Sequence, residues 1–307
     1  MTGPTNWPWN GSSVQAYYCR KLVRAGMKRW AALLGLLLAG AGAAWAQEFW
    51  LEPARFFVGP GAAVYLRRLT GPEFRGQRWL GKSSRVAGLV HYAPGAPPAN
   101  LLPQATAADT LATTLTLRQP GTHLVALATT NAFVTLPAPE FTAYLRAAGL
   151  EYALAQRQQH GETEKPGREA YRRCAKTLLH VGPLLGPDTA RAWARVVGHP
   201  LELVPEQNPV RLPAGSSLTV RVLAEGRPVA GQLVRVWRRG TTAPALLGTF
   251  RSNQNGRVLF RISGSGEYLV GSVRMVAAPA GQEVPQPLDW QSTWATLTFG
   301  VSAQKQP

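Results

Sequence analysis

The chain has 307 residues, enough for two modest domains that each bury a core. Its 33 Lys and Arg outnumber 16 Asp and Glu, for a formal net charge of +17. That surplus is scattered, however: Arg67-Arg68, Arg172-Arg173 and Arg238-Arg239 are its densest points. No basic run is interleaved with aromatics, so the charge does not make a nucleic-acid-binding pattern.

Export is the first expectation along the chain. Met27-Lys28-Arg29 is a charged n-region, Ala31 to Ala44 an apolar h-region, and Ala44-Trp45-Ala46 a small-x-small cleavage site. The apolar run is shorter than the ~20 residues a membrane span needs. Residues 27–46 therefore read as a signal peptide, residues 1–26 as a mis-called start or disordered extension, and Gln47 as the mature N-terminus. The expected location is periplasmic or secreted, with no transmembrane span after cleavage. Cleavage removes Arg20, Lys21, Arg24, Lys28 and Arg29 and no acidic residue, leaving a net charge of +12. It also removes Cys19, so Cys174 stands alone and no internal disulfide is expected.

Residues 47–137 read as a first all-β domain. Glu48-Phe49-Trp50-Leu51-Glu52-Pro53 is a short aromatic strand stopped by Pro53. Strand-like runs follow at 63–69, 77–80, 85–92 and 110–117, with a Pro/Gly/Ala-rich loop at 94–103. Residues 123–128 and 132–136 read as a hairpin across Thr129-Thr130-Asn131.

The period changes after Pro137. Phe141, Tyr144, Leu145 and Ala148 form the stripe of an amphipathic helix that Gly149 ends. Residues 150–158 can form a second helical segment. Residues 169–175 read as helical too, with Ala170, Tyr171 and Cys174 on one side. Residues 176–181 fit a continued helix or a strand, and 190–197 a short helix or loop. The whole of 138–200 is expected to be a helical insertion.

Residues 201–300 read as a second β-sandwich. Leu218, Val220 and Val222 share one face, as do Val234 and Val236, and Val258, Phe260 and Ile262. Thr219, Arg221, Arg235 and Arg261 point the other way. The last strand, 290–299, sets Trp290 and Trp294 against Ala295, Leu297 and Phe299. Residues 301–307 are expected to be a disordered tail. The fold class is thus mainly β: two β-sandwich domains, the second immunoglobulin- or transthyretin-like, with a helical insertion between them.

Motifs that carry chemistry are sparse. His91, His123, His160, His180 and His199 show no ligand spacing. His199 stands out only because Glu202 follows it closely. There is no nucleophile elbow, and Gly264-Ser265-Gly266 reads as a hairpin turn. Cys174 lies on an apolar face. Glu162 and Glu164 sit in a polar loop beside Lys165. The six mature tryptophans, Trp50, Trp79, Trp193, Trp237, Trp290 and Trp294, fit core packing or a sugar-stacking platform. No catalytic, cofactor-binding or metal-binding residue is assigned.

Several segments together carry a family resemblance. They are Glu48 to Pro53, Phe141 through Gly149-Leu150, Tyr171 with Lys176-Thr177-Leu178-Leu179, Gly198-His199-Pro200-Leu201-Glu202, Asn208-Pro209, and Asp289-Trp290 through Phe299. The chain resembles an exported bacterial domain-of-unknown-function family, number 4198, often labelled the periplasmic component of nickel or cobalt uptake. The resemblance covers nearly all of the mature chain. Residues 226–270 separately resemble the transthyretin-like or carboxypeptidase-regulatory-like β-sandwich, which implies a non-catalytic role. Members of the larger family often begin the mature chain with His, where this chain has Gln47. The resemblance thus implies a non-enzymatic exported binding or accessory protein linked to transition-metal uptake, with an envelope transport component as partner. The alternative is a structural or interaction module for acidic envelope polysaccharide or a protein partner.

Overall fold

Alternation of period two builds most of this molecule. The computed structural model describes Gly3 and residues 47–107, 112–184, 186, 188–279 and 287–303. The expected signal peptide, the segment before it except Gly3, and most of the expected tail lie outside the described residues. In chain order come β1 Glu48–Pro53, β2 Phe57–Val58, β3 Ala62–Gly71, β4 Gln77–Arg78, β5 Val86–Tyr92 and β6 Ala99–Asn100. Helix α1 Leu102–Ala107, β7 Ala112–Leu117, β8 Gly121–Thr129 and β9 Ala132–Leu136 follow. Helices α2 Ala138–Ala148 and α3 Glu151–Gln159 lead into β10 Gly167–Val181. The rest is β11 Leu201–Pro205, β12 Ser217–Ala224, β13 Arg227–Pro228, β14 Leu233–Arg239, β15 Ala245–Arg251, β16 Arg257–Arg261, β17 Gly266–Ala277 and β18 Trp290–Val301.

These strands form three sheets that make a layered β-sandwich. The middle sheet has ten strands, in the order β15-β14-β17-β18-β10-β8-β5-β6, with β2 and β9 also paired to β10. One outer sheet holds β1, β3, β4 and β7, and the other β11, β12, β13 and β16. Strands β10 and β8 show why this is a layered stack. Leu178 and Leu124 enter one core with Leu201, Val220, Val222 and Phe260, while Ala175, Leu179, Val125 and Leu127 enter the other with Phe49, Leu51, Val64 and Leu115. Burial on both faces gives β10 a nearly unbroken buried pattern instead of an alternating one.

The chain departs from its expected organisation here. Residues 169–175, read as helix, are part of β10. Arg, Glu, Ala and Lys are good helix formers, and the spacing of Ala170, Tyr171 and Cys174 imitates a helical stripe. Pairing with β18, β8 and β9 overrides that local preference. The helical insertion is therefore confined to α2 and α3, and residues 190–197 hold only a 3-10 turn at Ala192–Ala194. The cores do not divide at residue 200 either, since one cluster mixes Leu124 and Leu178 with Leu201 to Val301. From Gln47 on, the described chain forms one compact unit.

The expected hairpin at 123–136 is also something else. β8 pairs Leu124 with Leu178 and β9 pairs Val134 with Glu169, both antiparallel to the same long strand. Thr129 to Asn131 is a break in one line of chain, held where the Thr129 hydroxyl accepts from Arg173 N at 3.0 Å. Helix α2 ends as expected, with Gly149 in the left-handed region at φ 71°. Its buried Phe141, Tyr144 and Leu145 pack on Val273, Met275, Trp290 and Trp294 of the middle sheet. No described helix is long and apolar enough to cross a membrane.

Candidate functional site

Two cross-strand ion pairs, from different sheets, meet at one cleft. β1 and β3 place Glu52 opposite Arg67, and β14 and β17 place Arg239 opposite Glu267. Both pairs form salt bridges; Arg239 Nε donates to Glu267 Oε2 at 2.7 Å. Arg239 also reaches across to Glu52, whose carboxylate thus receives two guanidiniums and, at 3.3 Å, the Trp50 indole N–H. Glu52 is only 4% exposed, so it ties the two sheets together from within. Burial alone would lower the Arg239 pKa, but the bonds to Glu52 and Glu267 outweigh it and hold it above its ordinary value. The guanidinium lies over the Phe74 ring, 4.5 Å from its centre.

The cleft above this network has a volume of about 730 Å³. Arg67, Arg78 and Arg239 stand in its walls, and Gly76, Gly240 and Gly266 expose backbone along it. Two of these glycines are required by shape. A Cβ at Gly76 would run into the Trp50 ring, and Gly266, at φ 134°, would set one 2.5 Å from Arg239 O. A second hollow of about 510 Å³, lined by Phe74, Arg75 and Gln77, shares Gly76 and Arg239 with it. Among the described residues Arg75 and Arg78 make no ion pair, and both are exposed. The pair of hollows therefore presents four arginines against the two acids of the network, a surplus of positive charge facing water.

A contrasting cluster is closed. Lys176 and Glu202, each with a side chain 1% exposed, pair at 2.7 Å. Glu202 also accepts from Val197 N at 2.8 Å and Gly198 N at 3.1 Å, and Lys176 donates to Arg195 O at 3.1 Å. The pair is a clip that pins residues 195–198 onto β10. His199 follows that loop; burial, then Lys176, lowers its pKa to about 4 against the pull of Glu202, and its buried Nδ1 has no partner.

The other sequence candidates are dispersed. His91 and His123 do meet, on neighbouring strands: Nε2 of His91 lies 2.8 Å from Nδ1 of His123, whose Nε2 donates to Gln119 O at 2.7 Å. Burial is the main cause that lowers both rings, His91 to about 4. His180 bonds Thr122 and Pro183 O instead. Among the described residues, no three His, Cys, Asp or Glu side chains converge as a metal site would need. Cys174 is buried, which pushes its thiol up to about 12. All six described tryptophans are buried, so none offers an open stacking face. Gly264-Ser265-Gly266 is a turn whose Ser265 carbonyl accepts from Arg238.

The family model described as a domain of unknown function, DUF4198, matches residues 44–275. The chain belongs to this family. No curated protein matches it. Among solved structures, the D0-D1 domain of intimin is 12% identical and covers 82% of this chain and 97% of its own, at a TM-score of 0.19. Three N-terminal domains of the bacteriophage RB49 outer capsid protein Hoc are 9% identical, covering 84% and 71%, at 0.21. Salmonella alpha-2-macroglobulin is 10% identical, covering 85% of this chain and 15% of its own, at 0.22. Scores at this level do not define a shared fold. Within the DUF4198 match lie Glu52, Arg67, Arg78 and Arg239, together with the Lys176–Glu202 clip.

The sequence displays the pairs Arg67-Arg68 and Arg238-Arg239 but not what they build. The signal was available in the alternation. One arginine of each pair must face the other way from its neighbour: Arg67 and Arg239 reach Glu52, while Arg68 is buried against Thr113 and Arg238 bonds Ser265 O.

Proposed function

We propose that this DUF4198 chain is an exported, non-enzymatic binding protein of the cell envelope, and that the arginine-walled cleft is where it holds an anionic ligand. The observation that carries this reading is the set of exposed guanidiniums over glycine backbone, braced by the buried Glu52. Arginines held this way can present paired N–H groups to a carboxylate, and glycines let the ligand approach the main chain. Calorimetric titration with galacturonate tests it. Binding that weakens with added salt and is weakened or lost in Arg78→Glu supports the cleft; no binding of galacturonate or its oligomers by the wild type removes it. Fractionation of cells carrying a C-terminally tagged chain tests export, and N-terminal sequencing of the exported product should find Gln47 or its cyclised form.

The second reading is a part in nickel or cobalt uptake, with the metal as cargo. It draws on the His91–His123 contact, two imidazoles already side by side. Gln47 carries no imidazole and lies against Arg173, well along β10 from the Leu179 that pairs with His123. Binding no tighter than about micromolar is expected for either metal, roughly −8 kcal/mol. Submicromolar one-to-one binding by the tag-free mature chain would reinstate a metal role.

A further inference from the structure

We infer that the cleft continues as a track for an acidic polysaccharide of uronic-acid type; this rests on the cleft being the binding site. The track is the outward face of β3 and β7. Residues 63, 65 and 67 alternate outward on β3 while Val64, Leu66 and Arg68 are buried. On β7, Thr114 and Thr116 face out between buried Thr113, Leu115 and Leu117. The register puts Tyr65 opposite Thr114 and Ala63 opposite Thr116. Arg67, in the cleft wall, is thus followed on the same face by Tyr65, roughly 7 Å further along the strand.

Tyr65 is 46% exposed, whereas every described tryptophan is buried. An open phenol ring beside hydroxyl side chains suits the face and edge of a pyranose ring. The charge fits as well: Arg67 and Arg78 meet the end of this strip, and no acidic residue stands on it. A protein partner is the poorer match, because the strip has one aromatic and no deep apolar pocket to take an anchor. A polyol-phosphate chain would use the arginines but leave Tyr65 without a sugar ring to stack on. A carboxylated sugar polymer uses both.

The test compares chain lengths. Purified mature protein is titrated with galacturonic acid, hexagalacturonate, polygalacturonate, polyphosphate and dextran. Hexagalacturonate should bind at least about tenfold more tightly than the monomer, since successive units engage one surface. Tyr65→Ala should bring the hexamer down to the monomer's affinity without changing the monomer's, Tyr65→Phe should keep the gain, and Arg78→Glu should weaken both. A hexamer no tighter than the monomer, or a Tyr65→Ala variant with the full gain, overturns the track while leaving the cleft. Polyphosphate binding more tightly than polygalacturonate overturns the uronic-acid assignment, as does equal binding of dextran. If neither monomer nor hexamer binds, the cleft reading falls and the track with it. Unchanged circular dichroism confirms that each variant is folded.

Discussion

Two buried glutamates, Glu202 and Glu52, each anchor an ion-pair cluster, and the clusters differ in what they leave over. The Lys176–Glu202 clip is fully enclosed, with both Glu202 oxygens bonded and the ammonium shared with Arg195 O. The Glu52 network is enclosed only at Glu52 itself. Its carboxylate is buried, but the Arg67 side chain is 50% exposed, and Arg75 and Arg78 stand beside it with no acid. A closed set of charges can only hold a fold together. An open set with surplus donors can also hold a ligand, and that is the role proposed for the Glu52 cluster.

Breaking the clip should have the largest effect. Glu202→Ala would leave Lys176 buried without its partner, at a cost of about 3–5 kcal/mol in denaturant unfolding. The double variant Lys176→Met with Glu202→Leu should recover most of that loss, because an apolar pair removes the unpaired charge. A double variant as unstable as the single one would show that the backbone contacts of residues 195–198, not the charges, dominate.

A second effect comes from buried groups outside both clusters. Burial raises Glu48 from 4.5 to about 7 despite Arg235 and Arg173, and raises Glu169 similarly despite bonds from Ser292 and Tyr144. The folded chain keeps these protons to about pH 7 while the unfolded chain releases them near 4.5. Stability contributed by each carboxyl is therefore greatest below 4.5, falls as pH rises through that window, and levels off above it. The buried histidines act oppositely. Rings such as His91 stay neutral down to about 4 when folded, so stability falls as pH drops from 6.5. Glu48→Gln should be more stable than wild type at pH 8 by up to about 3 kcal/mol, with the difference vanishing near pH 4. Urea midpoints at the two pH values measure it, and a constant difference would show that Glu48 does not titrate as described.

Changes at the open cluster should move binding and not folding. Arg78→Glu alters an exposed side chain with no ion pair, so its unfolding free energy should stay within about 0.5 kcal/mol of wild type. The smallest effect is expected at Cys174. Its thiol is buried and hard to ionise, so a maleimide should label it only when the chain unfolds; rapid native labelling would mean that β10 opens readily.

Strands β12, β14 and β16 were legible because one face of each is wet. Leu218, Val220 and Val222 alternate with Thr219 and Arg221, and the structure sets the apolar members into one core. β10 was not legible, because cores on both sides erase its alternation and its buried Glu169 and Lys176 look like helix-surface charges until their partners are seen. The same long-range pairing hid the cleft. Glu52 and Arg239 are 187 residues apart, and nothing local links them. The segment Gly198-His199-Pro200-Leu201-Glu202 was visible as a unit, but its role as half of a clip depends on Lys176, a strand residue in a stretch that reads equally as helix.

The contrast between closed and open clusters is tested most directly by titrating wild type and Arg78→Glu with polygalacturonate while following the unfolding midpoint of each. Salt-sensitive binding that raises the wild-type midpoint and disappears in Arg78→Glu, with the two ligand-free midpoints equal, is the predicted result. Binding curves that coincide for the two proteins would contradict it.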